Sequence, residues 1–146
     1  MDLRIQRTLR NIERAFITLR SRKPIEKISV KELASLAEIN KATFYLHYKD
    51  IFDLSESIEN KLIGDIFADI RHPDAVITEP RQFTSELAKA CVAHSELINI
   101  VFSGGRKSIM VDRMGERVKK LVFDKHPEYK DSIVADILIT YSIKGG

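Results

Sequence analysis

Cysteine is nearly absent from this 146-residue chain: Cys91 stands alone. A lone thiol excludes any internal disulfide, so the fold rests on its core, as expected in a reducing cytoplasm. Apolar runs approaching the roughly 20 residues of a membrane span are missing, and no membrane partner is expected. The first residues, MDLRIQRTLRNIERAF, carry arginines where a signal peptide needs an apolar stretch. Internal repeats, low-complexity runs and credible strands are missing too. What remains, 44% hydrophobic and 31% charged, is globular and long enough to need no metal staple.

The formal net charge of +3 hides an asymmetry. Residues 1–49 hold 11 Lys/Arg against 5 Asp/Glu, a balance of +6, and residues 50–146 hold 13 against 16, a balance of −3. A basic head on an acidic body points to a polyanion as the head's partner.

Helical periodicity runs through the whole chain and predicts an all-α fold. Ile5, Leu9, Ile12, Phe16 and Leu19 recur at helical spacing, with Arg4, Arg7, Arg10 and Arg14 on the other side. Pro24 bars continuation. ISVKEL (28–33) reads as a capping box, Ser29 to Glu32, with Ile28 and Leu33 as its hydrophobic staple, and predicts a helix from Val30 to about Ala37. Asn40 is the next N-cap, only three residues on. Two short helices so closely spaced form a helix-turn-helix pattern. A third start at Asp50, with Asp53 at N3, opens a long helix to about Ile70, with Leu54, Ile58, Leu62, Ile66 and Ile70 in one row and Ile63 and Phe67 in another. Residues 71–80, containing Pro73 and Pro80, read as a loop. Further helices are expected over about 82–102, 108–123 and 130–143.

The window NKATFYLHYKD (40–50) holds more rings than a buried stripe requires. On a helix, Phe44 and Tyr48 share the inward face, leaving Tyr45 and His47 outward. Lys41, Tyr45 and His47 can donate to phosphates or base edges, while Ala42, Thr43 and Leu46 can touch thymine methyl groups. Ser29 and Lys31 at the start of the second helix, Asn40 at the start of the third and Lys49 before the fourth complete a candidate DNA-contacting set.

The stretch SVKELASLAEINKATFYLHYKDIFDL (29–54) resembles the DNA-binding head of TetR/AcrR-type bacterial transcriptional regulators. The matching positions are Ala37, Ile39, Asn40, Lys41, Thr43, Phe44, Tyr45, His47, Tyr48 and Lys49, and the likeness covers about residues 7–60. It implies a helix-turn-helix head (1–49) joined by a long helix to an effector-binding and dimerising body (50–146). It further implies a homodimer, probing a pseudo-palindromic operator on double-stranded DNA and released by a small-molecule effector, with repressor as the default sign. Three positions depart from the family: Glu38 where a turn Gly is usual, Ala42 for a Gly near the DNA backbone, and Ile51 where relatives often carry a Lys. The segment DSIVADILITYSIKGG is apolar as a dimer helix would be, but the family's closing helix after it is missing, so either a truncated body or a different mode of dimerisation is expected. The rival expectation is a helical protein-interaction module that has lost sequence-specific DNA binding.

Other constellations carry less. Cys91 and His94 are too few for a metal site, and no metal or cofactor is expected. Gly104 and Gly105, before Arg106 and Lys107, read as a helix end and turn, not a phosphate loop. Phe67, Cys91, His94, Met110 and Met114 are candidates for an effector pocket, with ordinary core as the alternative for the methionines. No catalytic set stands out, so no enzyme is expected.

Overall fold

The computed structural model describes residues 2–129. Among these the chain forms eight α-helices and no strand: α1 (Leu3–Arg20), α2 (Val30–Ala37), α3 (Lys41–His47), α4 (Ile51–Ala68), α5 (Ala75–Thr78), α6 (Pro80–Ala93), α7 (Ser95–Val101) and α8 (Lys107–Lys125). The fold is all-α. The expected helix over 130–143 lies outside the described residues. None of the described helices is long and apolar enough to cross a membrane.

The chain divides into two compact units. One runs from the N-terminus to Lys61 and takes in Asn99–Gly104; the other holds Leu62–Ile98 and the described residues from Gly105 onward. The division falls inside α4, whereas the sequence places the head's end just before that helix.

In the first unit, α1 packs on α2 and α2 on α3. The core gathers Ile12, Phe16 and Leu19 of α1 with Ile25, Ile28, Leu33, Phe44, Ile51, Leu54, Ile58, Val101 and Phe102, all buried. Burying each such side chain contributes about 1.5–3 kcal/mol, so this row outweighs any surface pairing in the unit. Ile5, expected on the same stripe, is exposed, because the first turns of α1 extend beyond their packing partners. Ile51 is buried too, so the position where the resembling family often has a Lys serves the core in this chain.

The helix starts form where the caps predict. The Ser29 hydroxyl accepts from the Glu32 N–H at 3.1 Å, and the Asn40 side chain accepts from the Thr43 N–H at 2.8 Å. At α4 the Asp50 carboxylate accepts from the Asp53 N–H at 2.8 Å while Asp53 reaches back to the Lys49 N–H at 2.9 Å. The capping box at α2 is only half made. Glu32 turns instead to the Lys23 ammonium at 2.6 Å, since a nearby cation competes successfully for its carboxylate.

A buried cation, invisible in the periodicity, closes the unit. Arg20 is 4% exposed; its guanidinium donates to the Lys23 carbonyl (3.2 Å), to the carbonyls of Val101 (3.3 Å) and Ser103 (3.2 Å), and to the Ser103 hydroxyl (3.0 Å). It thereby satisfies carbonyls at the C-terminal end of α7, where a cation also suits the helix dipole. Gly104 and Gly105 then turn the chain with φ of 66° and 87°, the left-handed region that glycine enters at no steric cost.

The second unit buries Leu62, Ile63, Ile66, Phe67 and Ile70 with Ala75, Phe83, Ala90, Met114, Val118 and Val122. Three expectations need correction here. Residues 71–80 are not all loop: Ala75–Thr78 makes one helical turn. Pro80 does not break a helix but begins α6, where its missing N–H is no loss. The span 82–102 is two helices, broken at His94, whose φ of −105° and ψ of 16° leave the helical range. At that break the His94 imidazole binds the carboxylate of Asp69, the residue that follows α4, at 2.8 Å.

Candidate nucleic-acid interface

The turn between α2 and α3 sets the angle of the candidate face. Glu38 follows α2 with φ 59° and ψ 43°, the left-handed conformation. Its N–H bonds the Ser35 carbonyl at 3.2 Å, and the Ile39 N–H bonds the Ala34 carbonyl at 3.0 Å. These two bonds make a Schellman motif, which ends α2 and aims the chain at Asn40. The glycine usual in the resembling family would take this conformation freely; here a glutamate is held in it.

α3 is anchored by one ring. Phe44 is fully buried, while Tyr45 is 55% and Leu46 81% exposed. The Tyr45 ring stands edge-on to Phe44 with centroids 5.4 Å apart, which steers an exposed side chain without burying it. Tyr48 lies one residue beyond the helix in extended backbone, half-buried, with its ring 5.8 Å from Phe44. Burial pushes the Tyr48 phenol pKa above 10.0; a hydrogen bond with Ser57 opposes this, and the charges of Glu13 and Asp53 add to the rise. His47 is half-exposed beside Tyr48.

The predicted contact residues all belong to this unit, and Thr43 and His47 are only half-exposed. Lys31, Lys41, Ala42 and Lys49 are exposed, as are Ser29 and Asn40. Their hydrogen-bonding capacity differs. Ser29 uses its oxygen as the cap but keeps its proton to donate. Thr43 spends its proton on the Asn40 side chain at 2.9 Å, so its methyl group and lone pairs are what it can offer a ligand. Asn40, accepting twice through its oxygen, keeps both amide hydrogens free for an acceptor. On α3 the exposed residues Ala42, Tyr45 and Leu46 follow one another at i, i+3 and i+4, with exposed Lys41 at the start of the helix and Lys49 just past its end. Such a surface can hold phosphates and touch base edges.

The five candidate pocket residues differ in burial and in partners. Phe67 is buried with the Arg117 guanidinium 5.9 Å from its ring centroid, His94 is bound to Asp69, and Met114 is buried. Cys91 and Met110 are half-buried, and burial pushes the Cys91 thiol up. An open cavity of about 680 Å³ in the same unit is lined by Glu79, Pro80, Arg81 and Gln82, none of them among the five.

Sequence reasoning missed Arg20 and the buried pair in α4, where the Ser55 hydroxyl donates to the fully buried Glu59 carboxylate at 2.9 Å. Comparison of the chain with protein-family models, with curated proteins and with solved structures gives no match.

Proposed function

We propose that the protein is a DNA-binding transcriptional regulator of TetR/AcrR type, a repressor that grips a pseudo-palindromic operator as a homodimer and responds to a small molecule held by its body. The observation that carries this reading is the division of labour on α3: Phe44 is wholly inside while its neighbours Tyr45 and Leu46 face solvent. A helix that buries one ring and exposes two large side chains beside lysines has the chemistry of a groove reader. The head's charge of +6 supports the same partner. In the dimer, two such helices would sit roughly 34–36 Å apart to enter successive major grooves. An effector that altered the path of α4 would change that spacing, and so switch binding off.

Leu36 and Phe52, exposed in the same unit as Tyr45 and Leu46, favour a second reading in which the head docks an apolar protein surface. A fluorescence-anisotropy titration against duplex from the protein's own promoter, over a salt series, separates the two. The first reading expects selective binding that weakens steeply with salt and is lost in Tyr45→Ala. Indifference to duplex would sink it and leave the second.

A further inference from the structure

We propose that the outer face of α1 is a second phosphate-backbone site, distinct from the α3 surface and without sequence preference. The buried row of α1 is Ile12, Phe16 and Leu19. At 100° per residue, Arg7, Arg10 and Arg14 fall within an arc of about 60° on the opposite side of the helix, and Arg4 extends the arc toward its free end. All four are exposed, and among the described residues none has a carboxylate within ion-pair distance. The acids of this helix are occupied elsewhere: Glu13, on the flank, binds Lys61 at 3.2 Å, and Asp2 caps the Arg4 N–H at 2.8 Å.

This arrangement works against the helix that carries it. Arg4–Arg7 and Arg7–Arg10 are like-charge neighbours at i,i+3, and Arg10–Arg14 at i,i+4, where an acid would have stabilised. Arg4, in the first turn, also stands at the positive end of the helix dipole, where the capping Asp2 is the one acid. A face that served only solubility would gain from interleaved acids. A polyanion removes both penalties at once. Every cation on the face is arginine, whose planar fork grips a phosphate through two parallel hydrogen bonds. From Arg4 to Arg14 the helix rises about 15 Å, enough to follow several phosphates of one strand at about 3.4 Å of axis each. Leu3 is the only large exposed apolar group in the arc, too little apolar surface for a lipid interface. Duplex backbone is therefore the partner that fits, and the choice of duplex as the polyanion rests on the function proposed above.

The test is an anisotropy titration over a salt series with two labelled duplexes of equal length, one bearing the protein's selected site and one unrelated. The proteins are wild type, the triple variant Arg7→Gln/Arg10→Gln/Arg14→Gln, the same triple to Lys, and Tyr45→Ala. With the Gln triple, the log–log salt slope should fall in magnitude by about two to three, since each lost phosphate contact removes about 0.9. Affinity for both duplexes should weaken by the same factor, leaving selectivity unchanged, and the Lys triple should keep most of the slope. Circular dichroism melts of both triples should match wild type or exceed it. An unchanged slope in the Gln triple overturns the inference while selective wild-type binding leaves the proposed function standing. Salt-steep, arginine-dependent but unselective wild-type binding does the reverse. Wild type that binds neither duplex, or that binds anionic phosphatidylserine vesicles in their place, overturns both.

Discussion

Glu38→Gly should make the protein more stable, although it removes a side chain and adds nothing. Glu38 is the one non-glycine residue with positive φ among those described. An L-residue in this left-handed well carries a cost of about 1–2 kcal/mol that glycine escapes. Glycine also loosens the unfolded chain, which takes back about 0.4–1 kcal/mol. The expected net gain is about 0.5–1 kcal/mol, a rise of about 3–5 °C in Tm for a unit of this size. Urea unfolding followed by circular dichroism measures it directly, with Glu38→Ala as control, because alanine keeps the Cβ that causes the strain. Asn, which tolerates this conformation, should recover part of the gain. If Gly proves no more stable than Ala, the reasoning about the turn fails.

Phe44→Ala should cost about 3–5 kcal/mol, since it empties a fully buried ring site. Tyr45→Ala should cost under about 1 kcal/mol and weaken duplex binding, and paired melts and mobility shifts check both. Arg20→Met should destabilise by about 2–4 kcal/mol, because the carbonyls of Val101 and Ser103 lose a buried donor; equilibrium unfolding reads the loss. Tyr48 keeps its proton in the folded state at pH values where the unfolded chain releases it. Its contribution is therefore intact below pH 10.0 and declines as pH rises toward the higher folded pKa, so wild type should lose stability relative to Tyr48→Phe above pH 10. Cys91, with its thiol pKa raised by burial, should react with a disulfide reagent at pH 8 more slowly than free cysteine.

Local signals read directly into structure where their partners were also local. Ser29, Asn40 and Asp50 each start a helix because the cap and the N–H it satisfies lie within three residues. The row Leu54, Ile58, Leu62, Ile66 and Ile70 is buried throughout, as helical spacing requires, although α4 itself ends at Ala68. The break at His94 was hidden because Cys91, Ile98 and Val101 continue a helical period across it. Arg20 looked like one more surface arginine, since its partners apart from the Lys23 carbonyl lie 81 and 83 residues away. Burial of Glu59 was equally illegible: an acid beside an apolar row is usually a solvated flank. On the candidate face, sequence placed Phe44 inward and Tyr45 outward, as the structure has them. It could not foretell that Thr43 gives its proton to Asn40, which alters what that position can offer a ligand.

The most direct test of the central claim is selection from a random pool of duplexes by the intact chain, followed by sequencing. A dimeric groove reader should enrich an inverted repeat with half-site centres about 10–10.5 base pairs apart, or a multiple of that, and Tyr45→Ala should lose the enrichment. A pool that emerges unenriched, or enriched equally by Tyr45→Ala, would contradict the assignment of α3 as the reading helix.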